Sequence, residues 1–195
     1  MAKLAYVAFG VGIAALVIGL AVFAYHYSGG AAQSSGFPSD LHLYIFGSVK
    51  CPHCAHFKMW LDSVHAKYTF CDVYYRNKCA LLFRNFTLKY KLPLAIPTTI
   101  AVLNMSKGKV FVFIVIGDLD NTAVWRTLRP KVVGGVLQVP SIVYPNGKAK
   151  YIPFVTGSIP VYGSFGNYVR FDKWVHATPQ EVVKTYCPAV IEASS

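Results

Sequence analysis

The sequence predicts an α/β protein, a three-layer α/β/α sandwich with a β-rich C-terminal extension, preceded by one transmembrane helix. Three observations predict it. An apolar run, Leu41-His42-Leu43-Tyr44-Ile45-Phe46, feeds a Cys-x-x-Cys segment that opens a helical pattern. From about residue 41 to 128 the apolar period alternates between two and 3.6 in the order β-α-β-α-β-β-α. Leu4 to Tyr25 is a run of 22 positions without a charged side chain. As a helix it would span about 33 Å, against a hydrocarbon core of roughly 30 Å.

That first run is read as an anchor over residues 1–27. Lys3 precedes it and no Lys or Arg follows until Lys50, so the positive-inside rule puts the N-terminus in the cytoplasm and the domain outside. The competing reading is a cleaved signal peptide with a secreted domain, because small residues follow at Ser28 to Ala32. Residues 28–39, rich in Gly and Ser with Pro38, read as a flexible linker, and the domain occupies 40–195.

Within the domain the elements follow in order. Phe57, Trp60, Leu61 and Val64 recur at helical spacing over about His53 to Lys67, with Trp60 a core residue. Tyr68 to Tyr75 is β-branched and aromatic, a strand. Cys79 to Leu92 is a second apolar helix, stopped by Pro93. Thr98 to Leu103 and Lys109 to Ile116 form a hairpin across Asn104 to Gly108. Asp120 to Leu128 makes a short helix capped by Asp120 or Asn121 and ended by Pro130. The extension, about 129–195, holds strand-like Val136 to Tyr144 and Lys148 to Val155 around the turn Pro145-Asn146-Gly147, then Tyr168 to Phe171. Thr178-Pro179-Gln180-Glu181 opens the last helix with a cap and a proline at the first position. The second hairpin either extends the sheet or covers one of its edges.

Chemistry is concentrated in Cys51-Pro52-His53-Cys54. At a helix start the first cysteine meets unpaired backbone N–H groups and the positive end of the helix dipole, which favour a thiolate. Cys51 is therefore the expected nucleophile. Cys54, one turn on, is placed to attack a mixed disulfide at Cys51 and release the client. His53 within the motif and Lys50 beside it add positive character that stabilises the Cys51 thiolate. These reactions run wholly in side chains, so no cofactor is expected. Zinc or copper at the CxxC is the rival chemistry, but a zinc site wants two further ligands at short spacing, and His53, His56, His65 and Cys71 do not supply that pattern. A metal-delivery module and a structural ectodomain with a simple bridge are the alternative functions.

Over residues 41–128 the chain resembles the thioredoxin superfamily, on its CPHC motif and on Ile96-Pro97-Thr98 at the start of the third strand. The resemblance implies a thioredoxin-like fold and a membrane-tethered, extracytoplasmic thiol–disulfide oxidoreductase. It implies a cis bond before Pro97, with Ile96 and Pro97 binding client backbone beside the CxxC. The Pro52-His53 dipeptide resembles DsbA-type oxidases, and Gly117-Asp118 is similar to a glutaredoxin turn. The implied partners are protein thiols and disulfides and a redox partner protein, with the membrane met through the N-terminal helix. Two departures stand out. The buried acid that the family commonly carries six residues before the first Cys is Ile45 here, and 129–195 has no counterpart in the minimal fold. Val139-Pro140-Ser141 resembles the family's proline strand almost as well as Ile96-Pro97-Thr98, and with Pro140 in that role residues 78–135 become an insertion.

Five cysteines in an oxidising compartment leave Cys71, Cys79 and Cys187 beside the motif. A buried inert thiol at each, a Cys79–Cys187 bridge and a Cys71–Cys79 bridge are all compatible with the spacing. Nineteen Lys and Arg against eight Asp and Glu give a net charge of +11, spread without a long basic block. That balance suits acidic partners or headgroups, but nothing singles out one of them. No basic-aromatic pattern organises Trp125, Trp174 or the 13 Tyr and 13 Phe into a stacking platform, so no specific nucleic acid is expected. His42, His56, His65 and His176 read as surface or partly packed histidines.

Overall fold

The computed structural model describes residues 36–194. The run Leu4 to Tyr25 lies outside them; no helix among the described residues is long and apolar enough to cross a membrane. The fold is mixed α/β. Nine strands form one sheet in the order β2-β1-β3-β4-β8-β9-β6-β5, with β7 paired to β6. They are β1 (Leu41–Gly47), β2 (Lys67–Asp72), β3 (Thr98–Asn104), β4 (Val110–Ile116), β5 (Lys131–Val133), β6 (Val136–Val143), β7 (Ala149–Pro153), β8 (Ser158–Ser164) and β9 (Val169–His176). Four helices accompany them among the described residues: α1 (Pro52–Ser63), α2 (Asn77–Tyr90), α3 (Thr122–Thr127) and α4 (Pro179–Ser194).

The middle strands are buried on both faces, which is why β3 and β4 read as nearly unbroken apolar runs. Their side chains alternate between two cores. Ile100, Val102, Val112 and Ile114 pack with Phe83, Phe86, Val182 and Val190, so α2 and α4 cover one face. Ala101, Leu103, Phe111, Phe113 and Val115 pack with Phe57, Leu61, Val124 and Trp125, so α1 and α3 cover the other. The α1 stripe is Cys54, Phe57 and Leu61, spaced for one helical face.

Caps explain the helix ends. Asn121 Oδ1 accepts from the backbone N–H of Ala123 at 2.9 Å and Val124 at 3.2 Å, so Asn121 rather than Asp120 opens α3. Thr178 Oγ1 accepts from Glu181 N–H at 3.2 Å ahead of α4. Lys91, left-handed at φ 51°, closes α2, and Leu92 N–H reaches back to Thr87 O at 2.8 Å before Pro93.

Several expectations need correction. The first helix stops at Ser63 and the second strand at Asp72, because Asp72 turns the chain with its own carboxylate; the second helix starts at Asn77 and ends at Tyr90. The short strand expected at Tyr168 to Phe171 of the extension is instead the eight-residue β9. Two strands were not anticipated, β5 and β8. The latter carries Pro160 and Gly163, and it is tolerated in the interior because its pairing with β4 is confined to Val161, Tyr162 and Gly163, beyond the proline. The extension is not an appendage: β8 sits directly against β4 and α4 shares the core with α2. Of the open disulfide choices, the bridge is Cys71–Cys79, so Cys71 is not an inert thiol and Cys187 is left free and buried.

Candidate functional site

The strand register gathers the candidate residues at one edge of the sheet. Phe46 pairs with Thr98, Thr98 with Ile116 and Ile116 with Gly163, while Gly47 pairs with Asp72. The chain segments following β1, β2, β4 and β8 and preceding β3 therefore emerge side by side. Pro140 lies in β6, five strands from β1 or about 24 Å at normal strand spacing. Pro97 is at the same edge as the CxxC; Pro140 is not.

Cys51 is the N-cap of α1, half-buried, with extended φ and ψ of −85° and 118°, and Pro52 occupies the first turn, where no N–H is missed. The turn before it is tied by Cys51 N–H to Ser48 O at 3.0 Å and Lys50 N–H to Ser48 Oγ at 3.1 Å. Cys54 is fully buried beneath it. Burial pushes the Cys54 thiol up to about 12; the neighbouring Cys51 and the Asp118 charge add to this, and a backbone hydrogen bond with Ser48 opposes it. The motif thus pairs one partly exposed thiol, Cys51, with one fully buried thiol, Cys54, whose proton is held more tightly than usual.

Across the edge, Gly117 N–H donates to Pro97 O at 2.8 Å, fastening the turn after β4 to the proline. The Ile96–Pro97 peptide is cis, Pro97 is buried and Ile96 packs on the α2 side of the sheet. Asp118, the next residue, meets His53 with Nδ1 3.2 Å from Oδ2. His53 was expected to face Cys51; with Nδ1 engaged by Asp118, only Nε2 is left for that role. Lys50 is likewise turned, its Nζ donating to Tyr74 Oη at 3.3 Å and lying 4.4 Å from that ring's centre.

Ile45, at the position where an acid was missed, is fully buried, and its cross-strand partner on β3 is Thr99. Thr99 Oγ1 is the one buried side-chain polar atom without a hydrogen-bond partner among the described residues. Those residues contain no group of three or more His, Cys, Asp and Glu side chains arranged to hold a metal ion.

Sequence reasoning left out two parts of this edge. In sequence Asp118 stands out only within a Gly-Asp turn, and Tyr74 and Tyr75 read as the end of a strand. The available signal was Asp72, whose Oδ1 accepts from Tyr74 N–H at 2.9 Å and Tyr75 N–H at 3.2 Å, a turn typical of aspartate. Comparison with protein-family profiles, with curated proteins and with solved structures finds no match for this chain.

Proposed function

We propose that this chain is a thiol–disulfide oxidoreductase of thioredoxin-like fold, held outside the cytoplasm by the run Leu4 to Tyr25. The observation that carries the reading is the pairing of a partly exposed helix-cap thiol, Cys51, with a fully buried thiol, Cys54, one turn on in the same helix. Pro97 and Ile96, which precede β3 at the same edge of the sheet, are assigned to client backbone, and Pro52 sets the helix start. The Cys71–Cys79 bridge suits an oxidising compartment.

In the reducing direction the Cys51 thiolate attacks one sulfur of a client disulfide. That S–S bond breaks, a mixed disulfide forms, and the first client thiolate leaves and takes a proton. Cys54 then loses its proton and attacks Cys51 Sγ, expelling the second client thiolate. The client gains two electrons and the Cys51–Cys54 pair becomes the disulfide; the oxidising direction is the reverse. The raised Cys54 favours this order, because a thiol held protonated does not compete with Cys51 for the first attack.

The test is covalent trapping. Cys54→Ser should accumulate mixed disulfides with client proteins that dissolve on reduction, and Cys51→Ser should accumulate few. A Cys54→Ser chain that traps nothing among oxidised clients would remove the main support.

A further inference from the structure

Beside Cys51 stands an aromatic and basic platform to which no role has yet been given. Tyr74 and Tyr75 are 60% and 61% exposed, and their rings meet edge to face with centroids 4.9 Å apart. Lys50 Nζ lies 4.4 Å from the first ring centre and 5.4 Å from the second. Two large aromatic side chains left in water forgo burial worth having, so their exposure calls for a reason.

The loop that carries them is held rigid from three sides. The Cys71–Cys79 disulfide brackets it. Asp72 Oδ1 accepts from the loop's Tyr74 and Tyr75 N–H groups, and its Oδ2 accepts from Val49 N–H at 3.4 Å, in the segment before Cys51. Val73 N–H donates to Gly47 O at 2.8 Å, joining it to the strand that leads into the CxxC. A preorganised surface loses little conformational freedom on binding, which is how a small contact area gains affinity.

A second cation–aromatic group ends the same edge. Phe165 follows β8, is 49% exposed, stacks on Tyr168 at 5.0 Å and has Arg170 Cζ 5.6 Å from its ring centre. From β2 to β8 there are four strand spacings, about 19 Å, which an extended chain crosses in about six residues. The charges along this stretch are mostly positive: Lys50, the exposed Arg76 and Lys78, and Arg170. Asp72 is spent on backbone N–H groups, Asp118 faces His53, and Asp120, half-buried in the segment after β4, is the third carboxylate here.

We propose that the edge is a client-recognition surface selecting extended, cysteine-containing protein segments that carry an aromatic residue and a carboxylate close to the cysteine. The client aromatic stacks on Tyr74 and Tyr75, its carboxylate meets Lys50, and its cysteine is brought to Cys51. This specificity rests on Cys51 being the nucleophile of an oxidoreductase, and the test separates the two claims.

The full chain carrying Cys54→Ser is mixed with synthetic octapeptides whose single cysteine is activated as a thionitrobenzoate disulfide. Attack by Cys51 on the peptide sulfur releases coloured thionitrobenzoate and leaves the peptide bound. One peptide has tyrosine and glutamate beside its cysteine, a second has alanine and lysine, and Ellman's reagent serves as a small probe without flanks. The acidic-aromatic peptide is expected to react about tenfold faster than the basic one, the range given by one stacked ring plus one cation contact. Tyr74→Ala with Tyr75→Ala should abolish that preference and leave the Ellman rate within about twofold, whereas Tyr74→Phe with Tyr75→Phe should keep most of it. Equal rates for the two peptides, or a preference that survives the alanine pair, would overturn the recognition surface while leaving the redox reading intact. A Cys51 inert even to Ellman's reagent would overturn both.

Discussion

The Cys71–Cys79 bridge offers the sharpest quantitative test of how this edge is built. It joins residues eight apart, the end of β2 to the first turn of α2, and both sulfurs lie in the core under α4. Replacing both by alanine removes a closed loop of nine residues, counting the cysteines. Loop-closure entropy for that length is about 9 cal/mol/K, or about 2.6 kcal/mol at 25 °C. The two vacated sulfur sites are fully buried, and small cavities there add about 1 kcal/mol at most. Urea unfolding of the full chain in detergent micelles, at a slope of about 2 kcal/mol/M, should show a midpoint lower by about 1.3 M or slightly more. Thiol titration supplies the covalent check. The denatured, unreduced chain should show three thiols when Cys51 and Cys54 are a dithiol, and all five after reductant. Five thiols without reductant, or a stability loss below about 1 kcal/mol, would refute the reasoning. Ellman reactivity of Cys51 should be unchanged, while any preference for aromatic clients should weaken as the Tyr74–Tyr75 loop loosens.

Two further outcomes follow from the buried groups. Cys54 and Cys187 are both pushed by burial from an ordinary 9.0 up to about 12, and Tyr90, also mainly by burial, from 10.0 to about 12. Groups that hold their protons longer in the fold make stability full below about pH 9 and progressively lost towards 12, at up to about 1.4 kcal/mol per pH unit for each group. Thermal or urea midpoints of the reduced chain measured from pH 8 to 11 should therefore fall, and a flat profile would contradict the burial of these thiols. At Gly47, an added Cβ would lie 2.7 and 2.8 Å from the Phe70 ring and 3.5 Å from Cys54 Cβ. Gly47→Ala should cost about 1–3 kcal/mol by urea unfolding, and an unchanged midpoint would mean that Phe70 swings aside without loss.

Local signals in this chain were readable because they act over one turn. Proline after Cys51 marks a helix start, Thr178 and Glu181 form a cap three residues apart, and Pro145-Asn146-Gly147 makes a turn whose glycine has φ 78°. The departure at Ile45 was also legible, since it needs only the residue's identity and its place in an apolar strand. What the sheet joins across long stretches was not. Strand β8 lies beside β4 because a parallel partner completes that strand's open side, yet Pro160 and its flanking glycines obscure the strand in sequence. The choice among disulfides depended on Asp72 ending β2 early, which brings Cys71 and Cys79 to a Cα separation of 5.5 Å instead of keeping them on a strand and a distant helix.

The same distinction decides how the charges around Cys51 should be understood. In sequence, Lys50 and His53 flank Cys51, and proximity alone assigns both to its sulfur. In the fold their partners come from 24 and 65 residues away: Lys50 reaches Tyr74 and His53 reaches Asp118. Each of these side chains is thereby engaged by a second group away from the cysteine, one aromatic and one anionic. The positive field at Cys51 from side chains is correspondingly diluted, and the contribution of the helix start, whose backbone N–H groups are fixed and cannot turn away, gains relative weight. Lys50→Gln and His53→Gln should then slow the reaction of Cys51 with a small disulfide by less than tenfold each. A loss of a hundredfold from either would show that these side chains, and not the helix start, hold the thiolate.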